Sequence, residues 1–496
     1  MATAPVNATP YISKSKYLWG LQCSKLLWHA YNAKRLIPEP DAQTRAIFDQ
    51  GHEVGALAKQ LFPEGIEVGA GVTDLDETIR LTKQALKQRK PLFEAAFSGS
   101  GGYCRVDLLR PASNDAWDIV EVKSTTGLKD VHLDDLAFQL WVLACAGLQV
   151  RGCYLCRINP DFVRHGTVDP QKFFILEDVT NQTANLGQSV EDKLDDMFKT
   201  IRRSAHPEVP IGPRCDNPYT CPLRDHCWSF LPEANVTTLY RGGGKRFKLL
   251  AKGITGLTEI PDDFPLTDNQ KIQRRAAKTG QPHVDKPAIR AFLKKIKYPA
   301  SFLDFETFGT AIPLFDGVRP YERIPFQFSL HVVRSPGAEA GHHKFLADGT
   351  HDPRRGFMRR LREALPTKGS VVAFNAGFEL GLLNECCDLL PEFRPWVRSV
   401  QRRIVDLLVP FREFRFYHPK QNGSASMKSV LPALTGRGYD HLAIQDGTMA
   451  SLQYLRAAFG NVSVEGRAAV RKQLDDYCGL DTEGMIWIVD SLRGLT

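Results

Sequence analysis

No stretch of this 496-residue chain approaches the roughly 18 to 20 apolar residues that a bilayer-spanning helix requires, so no membrane span is expected. The opening run Met1-Ala-Thr-Ala-Pro-Val-Asn-Ala-Thr-Pro10 lacks a basic stretch followed by an apolar one, which leaves no secretory signal to expect and makes the cytoplasm the expected location. Long internal repeats and low-complexity tracts are missing too, which speaks against a solenoid. Charge of one sign is not in great excess: the formal net charge of +8 suits a polyanionic partner without requiring one. The eleven cysteines are an odd number, and a reducing cytosol disfavours disulfides, so clustered cysteines point to metal instead. With 43% hydrophobic and 24% charged residues, the chain is of ordinary globular composition, and order is expected beyond the first ten residues. Its length calls for about two to four domains.

What is present begins with Ser301-Phe-Leu-Asp-Phe-Glu-Thr307, where apolar residues alternate with carboxylates just after Tyr298-Pro299. Side chains two apart on a strand share a face, so Asp304 and Glu306 project together while Leu303 and Phe305 turn into a core. Two bare carboxylates this close repel, and one pKa rises unless a divalent cation lies between them. The pair predicts a metal site.

Periodicity divides the chain near residues 235 and 298. Tyr11 to about Arg35 reads as helical, Phe48 to Phe62 as an amphipathic helix, and Gly102 to Arg110 and Trp117 to Lys123 as strands joined by the turn Pro111-Ala-Ser-Asn-Asp115. Asp134 to Ala146 reads as a helix and Gly152 to Asn159 as a strand, which makes residues 1–235 an α/β domain. Residues 236–297 read as a basic connector with fourteen lysines and arginines between Arg241 and Lys297, either a nucleic-acid path or a solvated face. Within it, Leu249-Leu-Ala-Lys-Gly-Ile-Thr-Gly-Leu-Thr-Glu-Ile260 is similar to a helix-hairpin-helix segment. Residues 298–496 form a second α/β pattern, with strands at 301–307, 326–333 and 370–375 and helices at about 378–390, 426–434 and 466–490.

Companions of Asp304 and Glu306 follow in order. Val371-Val-Ala-Phe-Asn-Ala-Gly-Phe-Glu379 places Asn375 at a strand end and Glu379 in a first helical turn, and Tyr477-Cys-Gly-Leu-Asp481 puts a phenol and a carboxylate on one helical face. This set resembles the tyrosine-containing variant of the DEDD exonucleases, with a DnaQ-like, RNase H-like fold, over roughly the last 200 residues. The resemblance implies two-metal hydrolysis of phosphodiesters from the 3′ end, with Asp304, Glu306, Glu379 and Asp481 holding Mg2+ or Mn2+ and Tyr477 orienting or deprotonating the water. Glu379 stands where that family usually carries aspartate. Asp406, in Arg403-Ile-Val-Asp-Leu-Leu408, competes for its place and reads as a supporting residue. Ser426-Met-Lys-Ser-Val-Leu431 resembles a helix that shapes the substrate cleft in the same family.

Upstream, Asp107 ends one arm of the predicted hairpin and Ile119-Val-Glu-Val-Lys123 forms the other, so Glu121 and Lys123 share a face. A salt bridge between neighbours is the plain reading of that pair. With His52 in the helix before and Gln139 in the helix after, the pattern resembles the RecB-like PD-(D/E)XK nucleases, of restriction-endonuclease-like fold. That implies metal at His52, Asp107 and Glu121, and Lys123 and Gln139 on the substrate side. Leu143 stands where a tyrosine is usual. Cys23 before this core and Cys215, Cys221 and Cys227 after it are similar to the arrangement of RecB-like nucleases closed by a 4Fe-4S cluster, with zinc as the alternative occupant. Cys153 and Cys156 read as ordinary buried residues, and Cys478 receives no role.

The expectation is therefore a nuclease with two cutting centres, acting on DNA rather than RNA, in repair, recombination or defence against foreign DNA. Two alternatives stay open. One is an RNA exonuclease whose N-terminal domain only binds; the other is a nucleic-acid-binding protein with relic sites.

Overall fold

The computed structural model describes residues 11–496; the first ten, where disorder is expected, lie outside the described residues. The chain is of mixed α/β class and divides into two contact units: residues up to Ser229 together with Thr310–Tyr321, and Phe230–Gly309 together with Glu322–Thr496. The division falls at 229 rather than 235, and the segment 236–297 belongs to the second unit instead of standing between domains.

The first unit contains, in chain order, β1 (Ile12–Ser13), α1 (Lys14–Gln22), α2 (Ser24–Asn32), α3 (Ala42–Lys59), β2 (Ile66–Glu67), α4 (Leu75–Leu86), β3 (Leu92–Gly99) and β4 (Gly102–Pro111). There follow β5 (Trp117–Lys123), α5 (Asp130–Cys145), β6 (Val150–Ile158), α6 (Pro170–Phe173), β7 (Phe174–Asp178), α7 (Thr180–Gly187), α8 (Val190–Ile201) and α9 (Arg224–Trp228). The seven strands form one sheet in the order β2-β3-β4-β5-β6-β7, with β1 beside the start of β4. Period-two alternation sends Ile119 and Leu155 to a core with Tyr17, Phe138 and Leu194, and Val120 and Cys156 to a core with Val54, Ala58 and Phe173. Cys153 and Cys156 accordingly lie in different cores. Strand β3 has no β-branched residue and is interrupted at Glu94, whose φ is +57°, so pairing with β4 rather than local propensity makes it a strand.

One feature of this sheet positions a site. Strands β4 and β5 pair from Leu108 opposite Val120 to Pro111 opposite Trp117, and then part. Into the opening comes β1, which pairs with Gly102 and Tyr103 and leads directly into α1 at Lys14. Asp107 and Glu121 flank the fork.

The second unit contains α10 (Gly244–Ala251), α11 (Asp268–Thr279), β8 (His283–Val284), α12 (Lys286–Leu293), β9 (Ala300–Phe308), β10 (Ile324–Val333), β11 (Ala340–Leu346), α13 (Arg354–Ala364), β12 (Val371–Ala373) and α14 (Ala376–Leu389). It continues with α15 (Arg394–Gln401), β13 (Ile404–Asp406), α16 (Val409–Arg412), β14 (Phe416–Tyr417), α17 (Met427–Thr435), α18 (Gly447–Phe459) and α19 (Val464–Gly494). Its main sheet has the order β11-β10-β9-β12-β13, antiparallel on one side of β9 and parallel on the other. Leu303 and Phe305 turn into a core with Phe328, Leu330, Phe357 and Leu382. A fully buried side chain of this size stabilises by about 1.5–3 kcal/mol relative to its exposed state, so the row fixes the register that aims Asp304 and Glu306. The other side of β9 and β10 is covered by α19.

The segment similar to a helix-hairpin-helix departs from that pattern. Helix α10 ends in a turn at Gly253, whose φ of +76° suits a glycine, but only a single 3-10 turn, Leu257–Glu259, follows before α11. Val236, Leu249, Leu257, Ile260 and Leu266 form its own small core, and Pro261 and Pro265 keep a second helix from starting earlier.

Candidate metal centres

In the second unit, β9 supplies Asp304 and Glu306, the first turn of α14 supplies Glu379, and α19 supplies Tyr477 and Asp481. The four carboxylates are brought together: Asp304 is influenced by Asp481, Glu306 and Glu379, and Glu306 by Asp481 and Glu379. Asp304, Glu306 and Cys478 each offer a ligand atom within 4.8 Å of the others. The Cys478 thiol donates to Asp304 Oδ2 at 3.7 Å, so this residue, given no role from the sequence, belongs to the centre. Its signal was present as an i, i+3 relation to Asp481. Among the described residues, none of the four carboxylates forms an ion pair, and Glu379 Oε2 is buried without a hydrogen-bond partner.

Electrostatics follow from this enclosure. Burial and the neighbouring charges raise Asp304 and Glu306 well above the usual carboxylate range. Burial lifts Glu379 to about 8, with Asp406 adding to the effect. Asp481 is pushed up to about 6 by burial, against the hydrogen bond it accepts from Tyr439. Tyr439 carries no sequence signal; it lies between α17 and α18, and its ring centroid is 6.0 Å from that of Tyr477. Lys428, on α17, is exposed, with its ammonium 5.6 Å from the Tyr477 ring and 5.9 Å from the Tyr439 ring. A Cβ at Gly447 would lie 3.3 Å from Glu306 Oε2, so the start of α18 closes one side.

Asp406 lies close enough to Glu379 for its charge to raise that carboxyl. Its Oδ1 accepts from the amides of Asn375 and Leu408, each at 3.0 Å, and so fixes the backbone that presents Glu379. Asn375 itself caps α14 with φ of +75°.

In the first unit the fork between β4 and β5 gathers Asp107, Glu121, Lys123 and Gln139, together with two residues that the sequence reading missed, Lys14 and Asp135. Glu121 Oε1 accepts from Lys123 at 2.6 Å and from Lys14 at 2.8 Å, and its Oε2 accepts from Gln139 at 2.7 Å. Asp135 accepts from Lys123 at 2.7 Å and from Gln139 at 2.9 Å. Asp107 Oδ2 takes the Val122 amide at 2.9 Å, across the fork. Asp135 stands four residues before Gln139 on α5, a spacing legible in the sequence; Lys14 is not legible, since only the pairing of β1 brings it there. Burial penalises the Glu121 charge, yet Lys123 and Lys14 outweigh it and hold the group well below the usual range. Asp107 is pushed up to about 7 by burial and by Glu121, against both lysines and the Val122 amide. His52 is exposed on α3, and no hydrogen bond or ion pair ties it to this cluster. Its helix packs against β5 through Val54 and Ala58, which share a core with Val120.

The four cysteines come together. Cys23 is the extended break between α1 and α2, Cys215 ends a 3-10 turn, and Cys227 sits in α9. Cys221 donates its amide to Cys215 O at 2.7 Å, and its thiol, raised by burial to about 11, also feels Cys23, Cys215 and Cys227. All four line one cavity of about 20 Å³ with Leu26, Ile211 and Leu223. A zinc ion and a 4Fe-4S cluster each take four thiolates, so the donor set fits both.

The remaining basic feature is α11, whose Lys271, Arg274, Arg275 and Lys278 line a groove of about 600 Å³. Asp262 and Asp268 partly neutralise it, with Arg274 to Asp262 at 3.0 Å and Lys271 to Asp268 at 3.0 Å. Among the described residues, no helix is long and apolar enough to cross a membrane.

Comparisons with known proteins add a narrow frame. The family model described as Domain of unknown function (DUF2779) matches residues 301–426, a span that contains Asp304, Glu306, Glu379 and Asp406 but ends before Tyr477 and Asp481. A solved structure described as the crystal structure of SSO0001 is similar at 15% identity, covering 46% of this chain and 90% of that one with a TM-score of 0.23. No curated protein matches the chain.

Proposed function

We propose that the protein is a metal-dependent nuclease that hydrolyses phosphodiester bonds of nucleic acid, with DNA ends or single strands as the expected substrate. In this reading the second unit is a DnaQ-like, RNase H-like exonuclease acting from the 3′ end, and the first is a RecB-like PD-(D/E)XK domain with a second cutting centre. One observation carries the proposal: four carboxylates from β9, α14 and α19 converge in a buried site where, among the described residues, none forms an ion pair. Only the Lys428 charge offsets them, acting on Glu306 and Asp481, and burying like charges so weakly compensated is strongly unfavourable, which supports a site for cations.

The donor set fits Mg2+ or Mn2+: oxygen ligands dominate, and the unpartnered Glu379 Oε2 is available. Asp304, Glu306, Glu379 and Asp481 would hold the ions, which supply charge stabilisation at the phosphoryl group. The chain's own residues do the rest. Burial and the adjacent carboxylates push Tyr477 far up, which keeps it a neutral phenol suited to orienting a water by hydrogen bonding. Tyr439 holds Asp481 in place. Lys428, exposed near two rings and acting on Glu306 and Asp481, would take a substrate phosphate at the mouth of the centre. In the first unit Lys123 would face the phosphate beside Asp107 and Glu121. In this reading the four cysteines would hold a 4Fe-4S cluster, with zinc as the alternative occupant, and such a group would tie α1 and α2 to α9.

The decisive test digests end-labelled single- and double-stranded DNA and RNA with wild type, Asp304→Ala and Glu121→Ala in Mg2+ or Mn2+. Progressive shortening from the 3′ end that Asp304→Ala abolishes supports the reading. Activity that survives EDTA overturns it.

A further inference from the structure

In the first unit a single ammonium occupies the space between three carboxylates. Lys14 Nζ lies 2.8 Å from Glu121, 3.7 Å from Asp135 and 3.9 Å from Asp107. Oxygens of three separate acidic side chains thus surround one positive centre, which is the donor set a divalent cation takes up at shorter range. The backbone holds the lysine there: Ile12 and Ser13 pair with Gly102 and Tyr103 in the mouth of the fork, and Ser13 caps α1 through the Lys16 amide. A second observation points to a missing partner. Gln139 donates its amide to Glu121 and Asp135, yet its buried Oε1 accepts no hydrogen bond among the described residues.

We propose that Lys14 is an intramolecular place-holder for the metal of the first centre, so that a divalent cation binds there only by displacing the Lys14 ammonium toward solvent. The inference rests on the nuclease reading of this cluster but concerns its occupancy, not its activity. Two ammoniums, Lys14 and Lys123, already face Asp107, Glu121 and Asp135, and a dication added beside both would leave an excess of positive charge in a buried site. Lys123 bridges Glu121 and Asp135 at 2.6 and 2.7 Å, whereas Lys14 holds one short contact and two long ones. The weaker-held cation is the one to leave, and its side chain, 23% exposed, has a way out.

The test compares Mn2+ binding to full-length chains by the resonance of free Mn2+, for wild type, Lys14→Gln, Lys14→Arg and Lys14→Gln/Glu121→Gln. Lys14→Gln should bind one Mn2+ at least about tenfold more tightly than wild type does, Lys14→Arg should match wild type, and the double variant should lose the gain. Equal or weaker binding by a folded Lys14→Gln chain overturns the proposal, as does a gain that survives Glu121→Gln. If Lys14→Gln fails to fold, wild type alone decides through amine acetylation read by mass spectrometry: Lys14 should react faster once Mn2+ is added, and an unchanged rate overturns the proposal. Mn2+ bound by the second centre, removed by Asp304→Asn, reports separately on the nuclease reading.

Discussion

The two acidic centres solve one electrostatic problem in opposite ways. In the first, Glu121 and Asp135 are matched by Lys14 and Lys123, and Asp107 keeps contact with solvent, so the fold is close to neutral there without any ion. In the second, none of Asp304, Glu306, Glu379 and Asp481 forms an ion pair among the described residues; the more distant Lys428 eases only Glu306 and Asp481, and burial keeps the protons bound to unusually high pH. Carboxylates alone are therefore not a measure of metal demand. What counts is whether the fold brings cations to meet them.

The sharpest way to break this comparison is Asp304→Ala. We expect it to reduce 3′-end shortening by about a thousandfold or more, a loss of roughly 4 kcal/mol of transition-state stabilisation, while Glu121→Ala spares that reaction. If Glu121→Ala removes it as well, the centres are not independent.

Next in size is the dependence of stability on pH. Glu379 sits near 8 in the fold against 4.5 unfolded, so the folded state holds its proton more tightly. Its stabilising effect is complete below the unfolded pKa and is lost as pH rises through the folded one. The chain in EDTA should therefore lose thermal stability between about pH 4.5 and 8, with Mn2+ restoring more as pH rises; Glu379→Gln should flatten the decline. Glu121 works with the other sign: its pKa is depressed, so its contribution stands at neutral pH and is lost on acidification. A melting temperature in EDTA that rises from pH 5 to 8 would contradict the contrast.

Smaller effects sharpen the picture. Tyr477→Phe should lower kcat about a hundredfold with KM little changed, and Tyr439→Phe only a few-fold, because the second phenol acts through Asp481. Cys221→Ala should remove the broad visible absorbance expected of anaerobically purified protein and lower the melting temperature of the first unit without altering digestion by the second. A colourless wild-type preparation that contains zinc would reverse the cluster reading.

The legible part of this protein is what repeats locally. Period-two alternation placed Asp304 and Glu306 on one face opposite Leu303 and Phe305, and helical spacing put Tyr477 beside Asp481 and left Asp135 findable from Gln139. The strand β3 was not legible, because alanines and a left-handed Glu94 become a strand only when β4 is there to pair with them.

The amino-acid order by itself determined the two α/β patterns, the candidate carboxylates and the cysteines that gather. Only the tertiary structure decided their electrical state. It brought Lys14 into the first fork through two residues of β1, and set Tyr439 and Cys478 beside Asp481 and Asp304. The reason is physical: spacing along a chain fixes which side chains share a face, while the charge a buried group feels depends on neighbours that are distant in sequence and close in space.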